Sequence, residues 1–418
     1  MTGRGQDWRT ILLAVGCVAG AFLAVALAAS LTFSAALAPA GLSIARDGLI
    51  SLDVVIPATA FLFLGALAIP AAYYSIGYLA GGASRALIPP RLRLWQGVVL
   101  LLLWIGSALL AGFLVDKDSW RWLTPALYLA AICIPVYFLI RLAAGGLNAG
   151  SVRRFWGVLS AGMVVGPGVA IFAELSLAIV VGVFAVIYLA LNPQQLAAVQ
   201  DLANQLGSTS GIDQAARVLQ PLLKLPFAFI LALIFFSGFA PLVEEASKSV
   251  AVWAVFDRLD APAQGFLAGV LSGAGFGLLE SLLASATPDQ SWAFTLLIRG
   301  GSSMMHIVAA GFTGWGIGRF RLTGRVGPLL GGYAGAVTLH SLWNAAVVTI
   351  TFGGLQMALG TGRLDIGATA SIGLGGAVLC ALCIGIPIAL GRINARLRVV
   401  ADPLASEPAR VPPPPSPA

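Results

Sequence analysis

What constrains this chain most is the recurrence of apolar stretches long enough to cross a lipid bilayer. They run at about 11–36, 52–80, 94–115, 122–143, 156–191, 226–256, 263–286, 291–318, 327–353 and 366–391. A hydrocarbon core takes about 20 residues of α-helix to cross, so ten membrane helices are expected. Lipid offers the backbone no hydrogen-bond partners, which leaves helix as the spanning form for such runs. Composition agrees: 59% of the residues are hydrophobic and 10% charged, more apolar surface than a soluble core can use. The fold class expected is all-α, a polytopic membrane protein. The fifth and sixth runs are overlong. "GPG" at 166–168 predicts a kink or a preceding interfacial piece in the fifth, and Pro241 predicts a local opening of the sixth.

A net charge of +7 would suggest nucleic-acid binding in a soluble chain. Here the arginines read as topology determinants, and no nucleic-acid partner is expected. Arg4 and Arg9 precede the first run; Arg85, Arg91 and Arg93 follow the second, and Arg153 and Arg154 the fourth. Arg319, Arg321 and Arg325 follow the eighth, and Arg392, Arg396 and Arg398 the tenth. Lys117 and Arg121 lie on the opposite side. This distribution places both termini in the cytoplasm and the protein in the plasma membrane. "ALAPAGL" at 35–41 resembles a signal-peptidase site, but the apolar run before it exceeds the usual length of about 7–15 residues. It reads as an uncleaved first membrane helix.

Four parts follow: an N-terminal membrane region of about five helices (1–191), an extracytoplasmic loop (192–225) of one or two short helices, a second membrane region of about five helices (226–391), and a proline-rich cytoplasmic tail (392–418). Cys17, Cys133, Cys380 and Cys383 read as small buried hydrophobes, and no disulfide framework is expected.

The second membrane region carries the chemistry. An ionisable side chain at the bilayer centre costs roughly 2.5–3.5 kcal/mol, so each needs a partner or a purpose. Spans six to nine hold Glu244, Glu245 and Lys248, then Glu280, then Arg299 and His306, then His340 and Asn344, and these are the only two histidines in the chain. Glu244 and Lys248 share a helix face at i,i+4. Glu245 is turned by about 100°, so one glutamate can pair with the lysine while the other faces elsewhere. Arg299 and His306 lie two turns apart on one face, and His340 and Asn344 are again i,i+4. Four polar stripes in four consecutive helices imply one wet cavity in the middle or outer half of the membrane. Taken singly, each residue has a plainer reading: a structural ion pair for Glu–Lys, hydrogen-bonded packing for a histidine, an interfacial position for Arg299. Glu174 has no evident partner and reads as structural or channel-lining. Asp53 reads as a helix N-cap, and the glycines of "GVLSGAGFG" (269–277) as tight helix packing.

Three glutamates and two histidines are the parts for activating water. A carboxylate in a dry pocket can act as general base, a histidine can polarise a carbonyl, pass a proton or bind a metal, and Asn344 can donate to a developing oxyanion. Alternatively His306, His340 and a carboxylate (Glu245 or Glu280) hold a zinc ion with one position open to water. No H-E-x-x-H is present, so metal ligands would come from separate helices.

"EEASK" (244–248), "FGLLE" (276–280), "RGGSSMMH" (299–306) and "HSLWN" (340–344), with Phe266 and the glycines before Glu280, resemble the PrsW family of intramembrane proteases. The four motifs occur in the family's order and cover about 240–350. The family is related to the CAAX-processing and bacteriocin-processing membrane proteases. The resemblance implies a membrane-embedded endopeptidase whose substrate is a single-pass protein of the anti-sigma-factor kind, cut outside the cytoplasm. It implies that Glu244 and Glu245 activate water with His306 assisting. His340 and Asn344 would polarise the scissile carbonyl or complete a metal site, while Lys248, Glu280 and Arg299 orient and balance charge. Ser281 stands where an asparagine often follows the family's glutamate, and the five N-terminal helices lie outside the shared core. Two other readings are a secondary transporter with proton-coupled carboxylates and a catalytically silent scaffold. Against the first, a transporter is expected to interrupt helices in both halves, whereas the polar groups here fall in one.

Overall fold

The structure is a computed structural model and describes residues 7–37, 45–46, 49–209, 214, 218, 226–289, 291–358 and 365–401. Its helices are α1 (Trp8–Leu37), α2 (Leu52–Leu79), α3 (Leu94–Leu114), α4 (Thr124–Ala144), α5 (Val152–Leu191), α6 (Pro193–Gly207), α7 (Pro226–Ala232), α8 (Ala240–Trp253), α9 (Pro262–Ala284), α10 (Trp292–Thr323), α11 (Val326–Ala358) and α12 (Ile366–Ala401). A two-residue antiparallel pairing, β1 (Ala45–Arg46) with β2 (Leu49–Ile50), precedes α2. Among the described residues ten helical segments are long and apolar enough to cross a membrane, and each coincides with one of the ten apolar runs. The protein is an all-α, multi-pass membrane protein.

α9 and α10 are the most enclosed spans, whereas α1, α3 and α12 turn much of their surface outward. Lipid supplies no hydrophobic drive between helices, so close association rests on packing of small residues. α9 is built for it. A Cβ on Gly269 would stand 2.0 Å from the Ala310 carbonyl oxygen, and one on Gly273 would stand 2.3 Å from that of His306. The backbones of α9 and α10 therefore touch, as the glycine spacing predicts. On its other side α9 meets α5 just as closely, with Gly275 against the Leu159 carbonyl. α3 and α4 pack outside α10, α11 packs beside it, and α12 closes on α11 and α4.

Two prolines behave differently from each other. α5 runs unbroken from Val152 to Leu191 with Pro167 inside it, so no separate interfacial piece precedes it. At Pro241 the chain does depart from α-geometry: α7 passes through a π-helical stretch, Leu233–Phe239, into α8. In that register the Phe236 carbonyl would pair with the nitrogen of residue 241, which as proline carries no hydrogen. The side chain of Asn344 supplies the missing donor, Nδ2 to Phe236 O at 2.8 Å.

Other expectations need correcting. Ser51, not Asp53, caps α2: its Oγ accepts from the Asp53 backbone N–H at 3.3 Å, which puts Asp53 in the first turn. All four cysteines are free, but only Cys17 is fully buried. Cys380 lies on the outer face of α12, and Cys133 and Cys383 are half-buried. Of the expected loop helices, α6 is present; most of 210–225 and the tail at 402–418 lie outside the described residues.

Candidate active site

The central cluster forms because two mid-helix histidines are brought together by glycine-permitted backbone contact. His306 stands 14 residues beyond Trp292 on α10, and His340 stands 14 residues beyond Val326 on α11. At 1.5 Å per residue both lie about 21 Å from their helix starts. Their ring centroids are 4.9 Å apart and nearly perpendicular.

α8 contributes the acids and a base. Lys248 is completely buried, and its Nζ donates to Glu245 Oε1 at 2.6 Å; Glu244 Oε2 lies farther off, at 3.5 Å. The lysine thus reaches both glutamates, and the tighter contact is at i,i+3. Nζ also stands 2.7 Å from His306 Nδ1 and lies over the Phe276 ring at 4.3 Å from its centroid. Ser272 on α9 donates to the Lys248 carbonyl at 2.6 Å, which fixes α8 against α9 at this level.

Each imidazole is held from behind by a carboxylate. His340 Nδ1 is 2.8 Å from Glu245 Oε1, with Nε2 turned toward Glu244 Oε2 at 3.8 Å. His306 Nε2 is 2.6 Å from Glu280 Oε2, and Arg299 Nη2 is 2.6 Å from Glu280 Oε1. Carboxylates in this position orient a ring and raise its strength as a ligand or base. Glu245 Oε2 is buried and has no hydrogen-bond partner among the described residues. The cluster is sealed at Glu245 and Lys248 and opens through Glu244 and Glu280, whose side chains are 15% and 35% exposed.

The donor set fits a divalent metal. Ligand atoms of Glu244, His306 and His340 all lie within 4.8 Å of one another. Bonds of about 2.0–2.2 Å to a zinc-class ion allow roughly 4 Å between its ligand atoms; with Glu280 on His306 Nε2, the metal-facing atom of that ring would be Nδ1, which Lys248 Nζ now holds at 2.7 Å and would have to release. The convergent carboxylate is Glu244, in place of the expected Glu245 or Glu280, which instead stand behind the rings. Formal charge points the same way: Glu244, Glu245 and Glu280 outnumber Lys248 and Arg299, leaving a deficit that a cation offsets.

Seven of the eight expected residues therefore meet in one network. Asn344 lies one turn beyond His340 but binds the π-helical stretch. The sequence reading named Glu174 and Ser281 but gave neither a place in the site. Glu174, half-buried on α5, is a fourth carboxylate whose signal was its own cost in an apolar span. Ser281 and Ser303 share a hydrogen bond at 2.9 Å, and Ser281 also donates to the Arg299 carbonyl at 3.0 Å. A hydroxyl thus serves in the position where asparagine was noted.

A family model described as PrsW family intramembrane metalloprotease matches residues 151–362. The matched region starts at α5, well before the motifs, and so takes in the helix against which α9 packs and which carries Glu174. No curated protein and no solved structure matches the chain.

Proposed function

The chain belongs to the PrsW family of intramembrane metalloproteases, and from that premise we propose how its buried cluster cuts a peptide bond. It is a peptide hydrolase of the membrane. The substrate is a membrane-anchored protein; we take it to be single-pass and, following the family resemblance, anti-sigma-factor-like. The enzyme sits in the plasma membrane with both termini cytoplasmic, as the arginine distribution supports.

Glu244, His306 and His340 are the residues that would hold a metal, with Glu245 and Glu280 orienting the two rings. A zinc-class ion bound there supplies a Lewis acid that makes water easier to ionise. Water entering past Glu244 and Glu280 would pass its proton to Glu245 at Oε2, which has no hydrogen-bond partner among the described residues, and Glu245 would return it to the leaving amine. Lys248 holds Oε1 and keeps the carboxylate aimed. Arg299 positions Glu280, and Glu280 holds His306. Asn344 acts through structure, satisfying the π-helical stretch that sets the height of Glu244. The apolar walls contributed by Phe276 and its neighbours keep bulk water out, which strengthens each of these charges.

The observation that supports this most is that two imidazoles and a carboxylate from three helices meet beside a buried carboxylate oxygen with no hydrogen-bond partner among the described residues. A transporter is not favoured, because the ionic groups belong to one half of the chain and to a protease family. The test is co-expression with a tagged single-pass substrate. Wild type is expected to shorten the substrate and Glu245→Gln to leave it intact; equal cleavage by both would remove Glu245 from its role.

A further inference from the structure

The end of the bundle that carries Asp7 and Arg9 holds a cavity separate from the acid–imidazole cluster. It has a volume of about 400 Å³ and is lined by Arg9, Arg153, Arg154 and Arg258. Two of these are matched by acids: Arg9 with Asp257 at 2.7 Å and Arg258 with Asp7 at 2.8 Å. The other two have no carboxylate within ion-pair distance among the described residues. Arg153 donates to Thr10 Oγ1 at 2.6 Å and lies 4.1 Å over the Tyr78 ring. Arg154 donates through Nη1 to the Arg258 carbonyl at 2.7 Å, while its Nη2 is buried without a hydrogen-bond partner among the described residues. Asp260 also lines the cavity and acts on Arg154 only through space. Gly150, at φ +82°, makes the room, since a Cβ there would stand 1.9 Å from Arg154 Nη2. Half-buried guanidinium groups without counter-ions favour an anion.

An apolar groove of about 360 Å³ continues from this cavity, and the two share Leu13 and Ala161. α1 packs along α2 and touches α5 little, so the groove stays open between the three helices. Gly16, Gly20 and Gly168 line it, and nothing stands within 4 Å of where their Cβ atoms would be. Its lining runs from Leu12 to Leu27 of α1, about 22 Å at 1.5 Å per residue. One leaflet's share of a 30 Å hydrocarbon core is about 15 Å, so the groove is long enough for an acyl chain. Its far end reaches Leu279, the neighbour of Glu280.

We propose that an anionic phospholipid seats here, its phosphate on Arg153 and Arg154 and an acyl chain in the groove between α1, α2 and α5. Basic pockets between membrane helices suit anionic headgroups. The joining of a charged pocket to an apolar groove matches an amphiphile, whereas free phosphate would leave the groove unused.

The full chain, purified and stripped of lipid, is titrated with phosphatidylglycerol, phosphatidylcholine and inorganic phosphate while bound molecules are counted by native mass spectrometry. A single phosphatidylglycerol is expected to bind, preferred about thirtyfold over phosphatidylcholine, as two arginines facing an anionic head provide. The Arg153→Gln/Arg154→Gln variant is expected to lose that preference. Gly20→Leu, which fills the groove, is expected to weaken both lipids and leave phosphate binding unchanged. Equal affinity for the two lipids, an undiminished preference in the double variant, or phosphate binding as tight as lipid overturns the proposal. Thermal unfolding of each variant in detergent reports whether it is folded. If the double variant is not, Gly20→Leu decides alone, and lipid binding equal to wild type in that protein overturns the assignment.

Discussion

Lys248 is the residue on which the site's electrostatics turn. A fully buried ammonium is tolerated because Glu245 and Glu244 lie within ion-pair distance and the Phe276 ring covers it. Removing one partner of such a group leaves the others uncompensated, which costs about 3–5 kcal/mol. Lys248→Met is therefore expected to lower thermal stability in detergent by that order and to abolish cleavage; a variant as stable as wild type would mean the charges are relieved some other way. Glu280→Gln is expected to act differently. It keeps the volume but loosens its hold on His306, and loss of an orienting carboxylate typically costs 10–100-fold in metal affinity or activity, read as cleavage rate at unchanged melting temperature. The cost of these groups in lipid made them legible in the sequence. Their pairing was not, because the choice between Glu244 and Glu245 as the inward-facing acid depends on how α8 is rotated against α9. That rotation is set by contacts such as Ser272 to the Lys248 carbonyl, which no spacing rule contains. Glu174 was visible but unassigned for the same reason: what α5 packs against, α8 and α9, is distant in the chain.

Among the elements, α9 and the π-helical stretch before α8 matter most. α9 places the cluster by letting α5 and α10 approach to backbone contact. Gly269→Leu is expected to force the α9–α10 pair apart and destabilise by at least the roughly 1–3 kcal/mol typical of overpacking, seen as a drop in melting temperature together with lost activity. Unaffected melting would show that the two helices do not touch as described. The glycine spacing announced this packing, and the apolar runs announced most spans to within a few residues; α12 instead continues to Ala401, ten residues into the segment expected as tail. The π-helical stretch was only half legible. Pro241 signalled an irregularity, but that Asn344 satisfies the Phe236 carbonyl required knowing that α11 lies alongside. Asn344→Ala is expected to cost about 1–3 kcal/mol, the penalty for leaving a carbonyl unpaired within an apolar span where lipid offers no donor, measured by thermal unfolding. It should also reduce cleavage through displacement of Glu244. Asn344→Asp, which presents an acceptor to an acceptor, is expected to be no better.

At the scale of the whole molecule, α8 to α11 bring their polar side chains to one centre, with α9 and α10 enclosed and α8 and α11 turning much of their surface outward, and α5 packs against that centre more closely than its place in the N-terminal region suggested. The account stands on side chains from three helices acting as one site. The most direct test is the metal content of purified protein, determined by mass spectrometry for wild type and for Glu244→Ala, His306→Ala and His340→Ala, each shown to be folded. One zinc-class ion per wild-type chain, lost in every one of the three variants, is the expected result. A metal that survives two of the substitutions, or wild-type protein that binds none under saturating conditions, would contradict the account.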